Sequence, residues 1–172
     1  MKALAISGYL VLAWQRGSSA WGGGSWRIDA YWPELPEHLP WVAHPEAGGR
    51  AGALLKRDET ALVWVTGPVT ISLIAAEAEG IWLNVTAPQP RLFALLRCDE
   101  GESWPTPRVV TVSQHEAARW MDGGEWVEAC PLPTFLREPL LEFGLWHYRP
   151  EGKQKVRRND PLGVLGRKTD AG

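Results

Sequence analysis

The stretch ALVWVTGPVTISLIA, residues 61–75, decides the fold. Residues 61–66 and 69–75 are rich in Leu and β-branched side chains, which fit a pleated, half-buried surface. Gly67 and Pro68 between them are turn residues, so the stretch is predicted to be two strands joined by a turn. The same texture extends in both directions: residues 3–15, 26–32 and 53–56 precede it, and residues 81–86, 91–98 and 108–112 follow. Asp58-Glu59, Glu79-Gly80 and the acidic segment 99–102 mark further turns. Residues 26–32 alternate, with Trp26, Ile28, Ala30 and Trp32 on one face and Arg27, Asp29 and Tyr31 on the other. A Gly/Ser loop (17–25) and a Pro-rich connection (33–45) link the first strands. The apolar run 3–14 is interrupted by Ser7, Gly8 and Tyr9. It reads as a buried first strand rather than a signal peptide, and it is too short for a membrane-spanning helix.

Helical signals come late. Ser113-Gln114-His115-Glu116 has the form of a capping box: the Ser113 hydroxyl accepts from the Glu116 amide, and the Glu116 carboxylate reaches back to the Ser113 amide. Ala117, Trp120 and Met121 then share an apolar face, and Asp122-Gly123-Gly124 stops the helix. A second helix is predicted within residues 134–148, where Leu136 and Leu140, and Leu141 and Leu145, fall four apart, so that both pairs are expected to face the sheet. Pro139 requires that helix to begin just before it or to kink there. The expected fold class is α+β: a mostly antiparallel β-sheet, sandwich or half-barrel like, with two C-terminal helices packed at one end. Residues 1–148 are expected to form a single domain and residues 149–172 a basic, flexible tail, with residues 162–165 as a short anchor.

A chain of 172 residues suits one domain, and its 45% hydrophobic and 22% charged content is that of a globular protein. Eleven Trp residues are unusual. The net charge of -2 provides no global field for nucleic acid or anionic lipid. The charge is unevenly placed, however. Seven basic and three acidic residues fall in 149–172, leaving eleven basic and seventeen acidic residues upstream. An acidic body thus carries a basic tail. The first reading of that tail is a solvated segment; few aromatics accompany it, so a docking segment for an acidic protein surface comes next and phosphate third, and neither nucleic acid nor membrane is expected. Cys98 and Cys130 are too few and too far apart for a disulfide framework or zinc knuckle. They are expected to be reduced, mostly buried thiols in a cytoplasmic protein.

His38, His44, His115 and His147 form no ligand pair at i, i+3 or i, i+4, so no metal is expected, and no cofactor either. His115, in the first turn of a capped helix, is expected to be exposed. No G-x-S-x-G, P-loop or dinucleotide-binding glycine pattern occurs. Gly22-Gly23-Gly24 lacks a Lys and a following helix. Asp58-Glu59, Asp99-Glu100, and Glu125 with Glu128, read as turn acids and a solvated face, and capping accounts for Glu116. With no nucleophile, base and orienting group in view, no catalytic residue is assigned and an enzyme is not expected. Trp21, Trp26 and Trp32 offer a sugar-stacking platform, but Trp in a small β domain is more often core or rim. A protein-binding groove suits these residues better, because Trp is favoured at interface hot spots.

Several segments carry a family resemblance. They are Arg57-Asp58-Glu59-Thr60, Trp82-Leu83-Asn84-Val85, PRLFALLR (90–97), VTVSQHEAAR (110–119), Asp122-Gly123-Gly124-Glu125, Val127-Glu128, Pro131-Leu132-Pro133, HYRPE (147–151) and KVRR (155–158). Together they resemble a small uncharacterised bacterial family encoded beside molybdenum-dependent formate dehydrogenases. Trp21 and Trp26 sit where that family has paired tryptophans after its first strand. The resemblance covers residues from about 10 to 160 and is specific for the family, not for a reaction. Residues 69–81 depart from it: the family is shorter there, and an inserted hairpin or a local re-pairing is expected. The gene setting implies a role in assembling, maturing or accompanying a molybdenum or tungsten oxidoreductase. The expectation is a non-catalytic accessory protein that binds the formate dehydrogenase catalytic subunit or its assembly factors. The residues assigned to that contact are His115, Arg119, Trp120, His147, Arg149, Lys153, Lys155, Arg157 and Arg158. The alternatives are a permanent small subunit of the dehydrogenase complex, or a carrier whose basic residues bind the anionic pterin cofactor.

Overall fold

The computed structural model describes residues 4–20 and 22–150. Trp21, the residues Lys153, Lys155, Arg157 and Arg158, the anchor expected at 162–165 and all but the first two residues of the expected flexible tail lie outside the described residues.

The frame of the molecule is one long antiparallel pair. Strand β1 (Leu4–Gln15) runs beside β5 (Ala61–Leu73) from Leu4 opposite Leu73 to Gln15 opposite Ala61. The stretch that reads as two strands is therefore a single strand. Gly67 and Pro68 do not turn the chain back; they stand together opposite Tyr9 as a bulge, between the pairs Gly8–Val69 and Leu10–Thr66. A bulge tolerates Pro, which has no ladder donor to lose, and its extra residue reverses the alternation of the side chains. Before it, Leu62 and Trp64 enter the main core; after it, Val69, Ile71 and Leu73 do. Val63 and Val65 point to the opposite face.

A second slip corrects the predicted alternation of β2 (Ser25–Trp32). Val11 pairs with Ala30 and Leu12 with Ile28, so Asp29 is the extra residue. Trp26, Ile28 and Tyr31 consequently share the main-core face, whereas Ala30 and Trp32 lie on the other. Tyr31 seals the junction by donating its hydroxyl to the carbonyls of Ile6 (3.1 Å) and Val69 (2.8 Å). Its ring lies so close to Gly8 that a Cβ there would meet it at 2.5 Å. The short β3 (Val42–Ala43) pairs with β4 (Ala51–Arg57), which pairs with the first half of β5.

After β5 the chain makes a 3-10 turn (Ala75–Glu77) and helix α1 (Ala78–Val85). Here the structure overturns three expectations: the strand at 81–86, the turn at Glu79-Gly80 and the hairpin or re-pairing within 69–81. The apolar run favours a strand locally, but Ile81 and Val85 are also four apart, and both are buried in the main core. Asn84 fixes the helix. Its amide donates to the carbonyls of Arg91 (2.7 Å) and Val112 (2.8 Å) and accepts from the Arg91 amide (2.9 Å). Then follow β6 (Arg91–Arg97), β7 (Thr106–Thr111), α2 (Gln114–Asp122), β8 (Trp126–Pro131) and α3 (Thr134–His147). Strand β8 is not signalled in the sequence, and α3 runs through Pro139 rather than starting beside it.

The strands form one eight-stranded sheet in the order β2-β1-β5-β7-β6-β8, with β4 on β5 and β3 on β4. All its pairs are antiparallel except β5–β7, which meet at Ile71 and Val110. Contacts between β2 and β8 bring the two ends of the order together, so the sheet curls almost closed. The α+β half-barrel expected from the sequence is thus present, with three helices among the described residues rather than two. Leu136, Leu140 and Phe143 of α3 pack into the main core with Leu10, Leu12, Trp64 and Ile81. On the opposite face a smaller core of Val11, Ala53 and Val65 is covered by Leu35, Leu39 and Trp41 of the Pro-rich connection.

Candidate functional site

Four of the nine residues picked out by sequence, His115, Arg119, His147 and Arg149, lie near the corner where the 3-10 turn enters α1. Ser113 caps α2 as expected, accepting from the Glu116 amide at 3.1 Å. The other half of the capping box does not form: the Ser113 amide donates to Thr111 Oγ1 (3.1 Å), and the Ser113 hydroxyl donates to Glu77 (2.6 Å). Glu77, whose side chain is largely buried, also pairs with Arg119. Gly80 of α1 approaches α2 so closely that a Cβ there would lie 2.3 Å from Ser113 Oγ and 3.0 Å from His115 Cβ. His115 is accordingly half-buried rather than exposed, as is Trp120, while Arg119 is exposed. On the other side of α1, a depression of about 620 Å³ is lined by Ala75, Ala76, Ala78, Glu79, His147, Tyr148 and Arg149. His147 closes α3 with its ring 4.4 Å from that of Phe143. The fold therefore places His115 and Arg119 on one side of the α1 N-terminus and His147 and Arg149 on the other.

Beside them lies a pair the sequence reading missed. Leu145 and Trp146 are each 72% exposed at the end of α3, immediately before His147 and the basic run. Their signal is an apolar pair next to clustered charge, but the predicted Leu141–Leu145 face assigns Leu145 to the sheet. In the structure Leu145 is outward and lines a groove with Thr134, Arg137, Glu138, Leu141 and Glu142.

A second concave feature sits near the other end of β1. A cleft of about 320 Å³ is walled by Trp14, Trp26, Leu62 and Trp104 and rimmed by Glu46, Arg57, Asp58, Glu59 and Ser103. Behind it, His44 stacks on Trp104 with ring centroids 4.2 Å apart, and Trp64 lies 5.0 Å from Trp104. His44 Nδ1 accepts from the Glu46 amide at 3.3 Å, which starts the 3-10 turn Pro45–Ala47. The Arg57 guanidinium lies over Trp104, 5.8 Å from the ring centroid, and donates to both oxygens of Glu46 at 2.6 and 3.3 Å. Asp58 accepts from the Thr60 hydroxyl (2.7 Å) and from the amides of Thr60 (2.8 Å) and Ala61 (2.9 Å). These bonds, the hydroxyl first, hold its carboxyl down at about 2. The sugar platform of Trp21, Trp26 and Trp32 does not assemble, because Trp26 and Trp32 occupy opposite faces of the sheet and Trp21 lies outside the described residues.

Cys98 is exposed and donates to the Glu102 carbonyl, against the expectation of two buried thiols; Cys130 is buried. Burial pushes the Cys130 thiol up to about 11, and Cys98 is raised too, by desolvation first and then by the charges of Glu102 and Asp99. Neither environment favours a thiolate nucleophile.

The fold and its surfaces define a small α+β domain with an aromatic cleft and an exposed helical corner. Residues 9–157 match the family described as protein of unknown function (DUF3305), and the chain belongs to that family. No curated protein and no solved structure matches it. Among the described residues there is no group of three or more His, Cys, Asp or Glu side chains placed to hold a metal ion. Nor is any helix there long and apolar enough to cross a membrane.

Proposed function

We propose that this protein is a non-catalytic accessory factor that works by binding another protein, and that its partner is a molybdenum-dependent formate dehydrogenase catalytic subunit or an assembly factor of that enzyme. The observation that carries the binding role is the 72% exposure of both Leu145 and Trp146. An exposed Trp beside Leu has the composition of an interface hot spot, and its rim is mixed in charge, with Arg137 and Arg149 against Glu138 and Glu142. The identity of the partner rests on the family resemblance of the motif-bearing segments. A cytoplasmic location follows from that role.

Affinity purification of the tagged protein from its own host, grown with formate and molybdate, tests this reading. Mass spectrometry and metal analysis of the captured material are the readouts. The accessory role expects the catalytic subunit to be recovered without molybdenum, and the Leu145→Ala, Trp146→Ala double variant to lose at least tenfold in recovery. Recovery of equal amounts of both proteins with full molybdenum would instead identify a permanent small subunit. Absence of every dehydrogenase component would overturn the proposal. The alternative of a pterin carrier places the anionic ligand on the basic residues from Arg149 onward, and pterin co-purifying with the isolated protein would favour it.

A further inference from the structure

We propose that the cleft walled by Trp14, Trp26 and Trp104 is a binding site for an organic cation bearing a guanidinium or ammonium group. The site is independent of the α3 surface: Leu4 shares a groove with Trp146, whereas Trp14 lies roughly 30 Å further along β1 at the ordinary rise of a strand.

Three observations converge on a cation. The first is charge. Glu46, Asp58 and Glu59 face the cleft against a single lining cation, Arg57. Arg57 is taken up by Glu46, and Lys56 reaches Asp58 at 3.5 Å from the solvent side. Glu59 has no ion-pair partner among the described residues. The second is the wall. Trp is the aromatic ring that attracts cations most strongly, and three indoles border this space. The third is Arg57 itself. Its guanidinium lies over Trp104 while its N–H fork grips Glu46. The cleft therefore already holds one guanidinium by the two devices a second would need, a ring face and a carboxylate. The Asp58 carboxyl, pinned by Thr60 and Ala61, keeps its charge at neutral pH and adds to the field.

Other ligand classes fit less well. An anion meets a rim that stays net negative, with Glu59 unpaired among the described residues after Arg57 meets Glu46 and Lys56 meets Asp58. A sugar ring needs a broad open indole face, but Trp104 is only 3% exposed and stacked on His44. The Trp14 indole is likewise covered by the backbone at Gly24, where a Cβ would come within 2.0 Å of it. A guanidinium or ammonium group needs only part of a ring face and supplies the charge that the rim lacks.

The test is titration of the full chain with N-acetyl-arginine amide, followed through the indole N–H signals in NMR. Methyl glucoside and citrate serve as the neutral and anionic comparisons, and tri-arginine represents a peptide-borne cation. A saturable shift confined to a subset of indoles is expected with arginine amide and not with glucoside or citrate. Glu59→Gln, at an exposed turn, is expected to weaken binding about threefold to tenfold, and Trp26→Leu by about tenfold, the scale of one cation–π contact. Leu145→Ala is expected to leave binding unchanged. Tri-arginine binding more than tenfold tighter than arginine amide at equal salt would point to a basic polypeptide, and equal affinities to a small free cation. The proposal is overturned if no cation gives a saturable shift, if glucoside or citrate moves the same signals as strongly, or if Glu59→Gln binds as the parent does.

Discussion

Asn84 shows what a single buried polar side chain holds in place. It is only 3% exposed, and its amide serves two carbonyls and one amide on β6 and the segment after β7. Asn84→Ala would strand all three backbone groups, and a loss of about 2–3 kcal/mol is expected in urea unfolding. Nothing in a run of Ile, Trp, Leu, Asn, Val and Thr announces this role, because its partners lie in other elements. Asp58 is legible by contrast. Its position before Glu59 and Thr60 marks a turn, and the structure places it as the acceptor of that turn. Its folded pKa of about 2 lies below that of a free Asp. The ionised form therefore stabilises the fold fully above about pH 4, and that contribution is lost as the pH falls through 2. The parent should exceed Asp58→Asn in stability at pH 7, with the gap closing as unfolding is measured down to pH 2; a constant gap would show that the charge is not responsible.

At the level of elements, legibility depends on whether the determining contacts are local. Helix α2 is readable because its cap and its stop lie inside it: Ser113 accepts from Glu116, and Gly124 adopts φ 78° just beyond the last turn. Helix α1 is not readable, because residues 81–86 satisfy a strand template and only packing against α2 and α3 settles the matter. Strand β8 is hidden for a related reason. It carries Glu128 and an exposed Trp126, whose indole donates to that Glu at 2.9 Å, so its face looks solvated until β6 pairs with it. Ser113 links these elements. Ser113→Ala would remove the α2 cap and leave largely buried Glu77 without one of its donors. A loss of about 1–2 kcal/mol is expected in thermal or urea unfolding, more than an exposed cap would give.

Across the whole molecule, the curled sheet follows from strand texture and turn residues, while the cleft does not. Trp14, Glu46 and Trp104 are remote in sequence, and only closure of β1, β5 and the 3-10 turn at Pro45 assembles them. The exposed end of α3 is obscured because Leu141 and Leu145 share a helical period yet differ in burial. The two thiols offer a global readout of the finished fold. One equivalent should react with a disulfide reagent in the native protein, slowly for an exposed thiol because Cys98 is raised, and the second, Cys130, only on unfolding. Two equivalents reacting natively at one rate would contradict the burial of Cys130.

The pairing of β1 with β5 also bears on how the chain reaches this state. The first strand must wait for the whole of β2, β3 and β4 to pass before its long partner exists, and the bulge opposite Tyr9 must be set at the same moment, since it decides which side chains enter which core. Such remote pairing gives a high contact order, with loop-closure entropy lost before the ladder compensates. Refolding is expected on the millisecond-to-second scale of β topologies rather than in microseconds. A chain interrupted before Leu73 would leave one edge of β1 unpaired and its apolar side chains uncovered, and such a truncated chain is expected to aggregate in a light-scattering assay where the full chain does not.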